Sequence, residues 1–162
     1  MLPEIRLSPP KLLLGQSLTM SIANNRTGDL WQSFAPKIKE VPNKVNNDKY
    51  SLQVYPVGYF EVFNPMTEFV KHALVEVSAV NRASIPDGMS AFKLERGLYA
   101  VFHFKGSSAD PSIYQYIYTD WLPKSRYQLD TRPHFELLGD KYKNLDPNSE
   151  EDIWIPIREK LS

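Results

Sequence analysis

One order of elements occurs twice in this chain: an alternating strand, an amphipathic helix, then two further strands. In the first half, Lys11 to Ile22 alternates loosely between apolar and polar residues, after a Pro9-Pro10 pair that holds the residues before it extended. Asn24, Asn25 and Thr27 offer helix N-caps. Leu30, Trp31, Phe34, Ile38 and Val41 then recur at helical spacing until Pro42, with Pro36 predicting a kink or short break. Residues 43–49 read as a polar loop. Tyr50 to Tyr55 alternates as a strand, Tyr59 to Phe63 is a further apolar run beyond Pro56-Val57-Gly58, and Phe69 to Val77 is another strand.

Past a turn at Ile85-Pro86-Asp87-Gly88 the order starts again. Leu98 to Phe104 is an extended aromatic and β-branched run. Asp110 is an N-cap with Pro111 at the first helical position, and Ile113, Ile117, Tyr118 and Trp121-Leu122 share one helical face until Pro123. Phe135 to Leu138 and Ile153 to Ile157 read as the closing strands, with Glu150-Glu151-Asp152 a solvated lead-in to the last. Tyr59-Phe60-Glu61-Val62-Phe63 in the first half echoes His134-Phe135-Glu136-Leu137-Leu138 in the second. The expected fold is therefore α+β: two tandem β-α-β-β units, over about residues 5–82 and 88–160, forming one domain with antiparallel sheets and two main helices. Either unit alone would expose an apolar sheet face.

Composition narrows the function classes. Nineteen Lys and Arg balance nineteen Asp and Glu, which removes the broad basic field of a nucleic-acid-binding domain, and direct nucleic-acid binding is not expected. The chain has no cysteine, so disulfides, thiolate metal sites and cysteine nucleophiles are excluded. His72, His103 and His134 have no metal-ligand spacing, and neither a metal nor a cofactor is expected. The apolar run Leu12 to Leu14 is too short for a signal peptide or a membrane span, so the expected location is the cytoplasm, without membrane association. What stands out is the aromatic content: nine Tyr, eight Phe and three Trp, residues that either fill a core or line a pocket.

Four ordered motifs in the second half carry a resemblance. Tyr99-Ala100-Val101-Phe102 with Gly106, the run Trp121-Leu122-Pro123-Lys124-Ser125-Arg126-Tyr127, Phe135-Glu136 and Ile153-Trp154-Ile155-Pro156-Ile157 resemble the GyrI-like small-molecule-binding family, also called the AraC effector-binding domain. In the first half Leu14-Gly15 and Trp31 with Phe34 match the family's first strand and helix. Phe104 stands where many members carry a polar residue or His, and Leu138 where a Tyr is common; both change the pocket lining and leave the fold. The resemblance implies a groove between helices and sheet that takes small, often cationic and aromatic, ligands. It implies a standalone member, since no helix-turn-helix pattern remains outside the two units, and a transcriptional role would then need a regulator partner.

Glu136 is the sharpest candidate. Alternation puts Phe135 and Leu137 on one strand face and Glu136 with Leu138 on the other, so a carboxylate emerges beside apolar side chains. Read alone, it either pairs with a Lys or Arg or faces solvent; the resemblance makes it the counter-charge of a bound organic cation. Glu61 reads as solvated. The expected ligand-lining set is Glu136 with Trp31, Tyr59, Phe60, Phe104, Tyr114, Leu138 and Trp154. The leading expectation is a non-enzymatic binder of lipophilic cationic aromatics. Two alternatives stand beside it: a hydrolase of strained electrophiles that uses the same Glu as general base, and an interaction protein that inhibits DNA gyrase.

Overall fold

The computed structural model describes residues 1–161. The strands are β1 (Glu4–Ser8), β2 (Lys11–Met20), β3 (Lys44–Val54), β4 (Phe69–Val77), β5 (Ser90–Leu94), β6 (Gly97–Lys105), β7 (Tyr127–Leu129), β8 (His134–Leu138) and β9 (Glu150–Glu159). Helix α1 (Thr27–Phe34) runs into a 3-10 stretch, Ala35–Glu40, with Pro36 at its start, as the kink expectation requires. Asn25 serves the start of α1, accepting from the Thr27 backbone N–H at 3.0 Å. Helix α2 (Ser112–Tyr116) continues through a π-helical turn (Ile117–Trp121) into α3 (Leu122–Lys124). Pro123 lacks an N–H to return to the preceding turn, and the helix loosens just before it. Asp110 accepts from the Ser112 N–H at 2.9 Å, the bond a cap before Pro111 makes to the second helical residue.

The sheet is antiparallel throughout, in the order β1-β6-β9-β8-β3-β4-β2-β5, with β7 added to the end of β9. Each half keeps its strand-helix-strand-strand order. Each also sends a short leading strand to an edge, β1 onto β6 of the second half and β5 onto β2 of the first. The order reads alike from either edge, so the β8–β3 pairing is a central seam.

Two expectations about local structure are overturned. Residues 44–49 belong to β3, held by β4 across a bulge that absorbs the Asn46-Asn47-Asp48 run. Tyr59–Phe63, the supposed echo of β8, is a turn: Gly58 sits at φ +81°, and the Glu61 and Tyr59 N–H groups close back on Gly58 and Pro56. In strand order the counterpart of β8 is β3.

Register decides which side chains share a face. Phe102, Ile153, Glu136, Ser51, Ala73 and Gln16 form one row across six strands, and both helices cover this face. Helix α1 packs Leu30 and Phe34 on Leu14, Ala73 and Val75. Gly15 lets β2 and β4 close up: a Cβ there would sit 1.9 Å from the Ala73 carbonyl oxygen. Helix α2 packs Ile113 and Ile117 on Ala100, Phe102, Ile153 and Ile155. The opposite face carries a third cluster that joins Leu13 and Leu94, near one edge of the strand order, to Tyr99 and Val101, near the other. One sheet can bring its edges together this way only by curling, which buries that face without a second helical layer. Among the described residues no helix is long and apolar enough to cross a membrane.

Candidate functional site

Between α2, the Tyr59–Phe63 turn and the β8–β3 seam lies a cavity of about 520 Å³. Its floor is the helix-facing side of the strands: His134 and Glu136 from β8, Gln53 from β3, Ile153 and Ile155 from β9. One wall is α2 with the π-helical turn that continues it, where Tyr114 and Tyr118, four residues apart, share a face. The other is built from Tyr55, just beyond β3, and the turn residues Tyr59, Phe60 and Phe63.

The rings form a continuous cluster. Phe60 stacks between Tyr118 and His134, with ring centroids 5.5 and 5.1 Å away. Tyr55 meets Tyr59 at 4.5 Å and the His134 ring edge-on at 4.9 Å. Burial drives the His134 pKa down to about 3, so the ring is neutral across the physiological range. Its Nδ1 lies 3.2 Å from the Tyr118 hydroxyl, within hydrogen-bonding distance. His134 therefore acts here as one more aromatic wall.

Glu136 is the one carboxylate in this lining. It is half-buried. The Tyr114 hydroxyl donates to one oxygen at 2.6 Å and the Gln53 amide to the other at 3.0 Å. Among the described residues no Lys, Arg or His forms an ion pair with it. Its charge is felt around it. Burial first, and then the Glu136 carboxylate, push the Tyr114 hydroxyl well above the usual tyrosine range, and the Tyr118 hydroxyl moves the same way for the same reasons. Glu151 is pushed up to about 7, by burial and then by Glu136. The acidic run that contains it is part of β9, where Glu151 pairs with Phe104 of β6, and is not a solvated lead-in. The arrangement offers a negative charge already hydrogen-bonded but not neutralised, beneath polarisable rings.

Of the residues expected to line a ligand site, Glu136, Tyr59, Phe60 and Tyr114 face this cavity with their side chains. Four do not. Trp31 packs on Phe34 in the first-half core, because its helix covers β2 and β4. Phe104 is buried at the far end of β6 beneath Gly106, whose Cβ position would lie 2.7 Å from its ring. Leu138 lies past Glu136 on β8 and borders a separate cavity. Trp154 borders the cavity from β9, but strand alternation turns its ring to the opposite face, where it stacks on Phe135 at 5.1 Å. Sequence reasoning passed over Tyr55, Tyr118, His134 and Gln53. The i, i+4 spacing from Tyr114 was a signal for Tyr118; nothing local marks Gln53, which β3–β8 pairing brings beside Glu136.

Comparison with known proteins follows the same lines. SAV2435, solved bound to tetraphenylphosphonium, superposes with a TM-score of 0.69 over 98% of this chain and 94% of its own, at 17% identity. EcmrR in its complex with DNA gives a TM-score of 0.69 at 13% identity, covering 98% of this chain and 57% of EcmrR. At these identities the likeness is one of fold. The transcriptional regulator BrlR of Pseudomonas aeruginosa is 27% identical over 154 residues, 92% of this chain, which spans only 53% of BrlR. The model of the GyrI-like small molecule binding domain matches residues 1–158, and the chain belongs to that family.

Proposed function

We propose that the cavity over the β8–β3 seam binds small lipophilic cations that carry aromatic groups, with Glu136 as their counter-charge. The observation that carries this reading is the Glu136 carboxylate, held by Tyr114 and Gln53 without a cationic partner and surrounded by rings. Removing a carboxylate from water is costly unless its charge is answered, and an organic cation answers it while its aromatic groups displace water from Tyr55, Phe60 and Tyr118. The binding of tetraphenylphosphonium by SAV2435, which has the same fold, supports the choice of ligand class. Kinship with BrlR supports a regulatory setting, in which ligand occupancy would be read by a transcription-regulator partner or module.

Calorimetric titration with tetraphenylphosphonium and with tetraphenylborate, which has nearly the same shape and the opposite charge, tests the reading. Wild type is expected to bind the cation and not the anion. Glu136→Gln is expected to weaken cation binding by at least about ten-fold, since the ligand's charge loses its partner. Equal binding of the two ions, or an unchanged affinity in the variant, overturns the proposal.

A further inference from the structure

A second cavity, of about 360 Å³, lies on the same sheet face at the other end of the β8–β3 seam. The two are related by the strand order. The first opens where β3 ends at Gln53 and Tyr55, the second where β8 ends at Leu138 and passes to Asp140 and Tyr142. Ser51 pairs with Glu136 and Lys49 with Leu138, so the floors are adjacent, one side-chain step or about 7 Å apart along the strands. Their chemistry is opposite. The second cavity has Lys44 and Lys49 at its border, with Asn46, Asn47 and Tyr142 as neutral polar groups; Asp140 lines it, and an Asp48 carboxylate oxygen lies 3.6 Å from where a Cβ on Gly139 would be. Neither lysine is in an ion pair among the described residues. Lys44 and Lys49, on either side of the β3 bulge, border the same space.

We propose that the second cavity is an anion-accepting subsite of one bipolar groove, and that the preferred ligands are amphoteric: an aromatic cation at Glu136 joined by a short chain to a carboxylate at Lys44 and Lys49. This rests on the reading of the first cavity as a cation site. Opposite charges over adjacent floors of one sheet select the length of the spacer as well as the charges at its ends.

The test uses a triphenylphosphonium cation with a five-methylene chain ending in a carboxylate, and its methyl ester, titrated calorimetrically into wild type, Lys44→Gln/Lys49→Gln and Glu136→Gln. Both lysines are exposed, so the double variant is expected to fold, which its melting temperature checks. Wild type is expected to bind the acid about five-fold more tightly than the ester at low salt, the range of a partly exposed ion pair. The preference should shrink as salt is added. In the double variant it should vanish while ester affinity stays within about two-fold, and Glu136→Gln should weaken both ligands. If the ester binds in a Glu136-dependent way but the acid binds no better, the bipolar groove is wrong and the cation site stands. A preference for the acid that survives loss of both lysines overturns the subsite equally. If neither compound binds wild type, the cation reading fails and the inference falls with it.

Discussion

The two helices occupy equivalent places over the sheet and do opposite work. Helix α1 seals its half with apolar contacts: Leu30 and Phe34 are fully buried on Leu14, Ala73 and Val75, and Trp31 and Ile38 close the margin. Helix α2 anchors itself with Ile113 and Ile117 but turns Tyr114 and Tyr118 toward a floor that contains Glu136, Gln53 and His134. The central row differs at every position, with Ala73 and Gln16 in the first half where the second has Ile153 and Phe102. Across the seam from Glu136 stands Ser51, a buried hydroxyl in place of a carboxylate. One topology thus provides a dry side under α1 that supplies cohesion and a polar side under α2 that gives up part of its cohesion to a site, to which Gln53, Tyr55 and the Tyr59–Phe63 turn of the first half also contribute.

The largest expected effects test that division. Phe34→Ala should cost about 3–5 kcal/mol in denaturant unfolding, the usual range for an aromatic removed from a tight core. It should leave the affinity of the folded protein for tetraphenylphosphonium nearly unchanged, since Phe34 is remote from the cavity. A matching loss of affinity would mean that the halves are coupled and the division is wrong.

The polar half should show itself in acid. With its pKa pushed down to about 3 by burial, His134 stays neutral in the folded protein while the unfolded chain takes up a proton near pH 6.5. Its folded pKa lies below its unfolded one. The stability is therefore complete above about pH 6.5 and falls as the pH drops from there toward 3, by up to about 1.4 kcal/mol per pH unit. His134→Phe, which keeps a ring against Phe60 and Tyr55, should flatten that slope between pH 6 and 4. A slope unchanged by the substitution would show that the acid sensitivity lies elsewhere.

Tyr114→Phe probes the same layer more gently. It removes the hydroxyl that donates to Glu136 at 2.6 Å and keeps the ring, so about 1.5 kcal/mol of stability should be lost, as for a hydrogen bond to a charged acceptor. Tyr118→Phe, whose partner is a neutral ring nitrogen at 3.2 Å, should lose less. The reverse ranking would mean that the Glu136 contact is not the stronger of the two.

The sequence revealed the parts of this contrast that are local. Phe69–Val77 is a strand to the residue because it is rich in β-branched and aromatic residues and free of Gly and Pro, and Pro36 ends α1 where proline chemistry requires. The face on which Glu136 emerges follows from a period of two. What stayed hidden depends on register between distant segments. Gln53 is 83 residues from Glu136, and only the β3–β8 pairing sets them 3.0 Å apart. The Asn46-Asn47-Asp48 run has no strand propensity of its own and is carried in β3 as a bulge because β4 pairs with Lys44 and Lys49 on either side. The Tyr59–Phe63 run has an apolar content that suits a strand, yet Pro56 and Gly58 fold it into a turn that becomes a cavity wall. Trp31 and Tyr114 looked alike at helical spacing, and only the residues beneath each helix separate a core ring from a cavity ring.

The smallest expected effect sharpens the acid experiment. On the sheet face away from the helices, His103 lies between two carboxylates, Nδ1 2.8 Å from Asp152 and Nε2 2.8 Å from Glu150. Hydrogen bonds to Asp152 and then Glu150 raise its pKa, since an imidazolium can donate from both nitrogens. A raised folded pKa gives stability that is full below the unfolded value near 6.5 and is lost as the pH rises through the folded one. That is the opposite sense to His134. Because the ring is 60% exposed, the contribution should stay below about 1 kcal/mol and shrink with added salt. His103→Gln should therefore lower stability more at pH 5.5 than at pH 8.5, and should make the acid slope of the His134 background steeper. An equal loss at both pH values would show that the ring contributes packing and not charge. The acid sensitivity of the polar half would then need no correction for this edge.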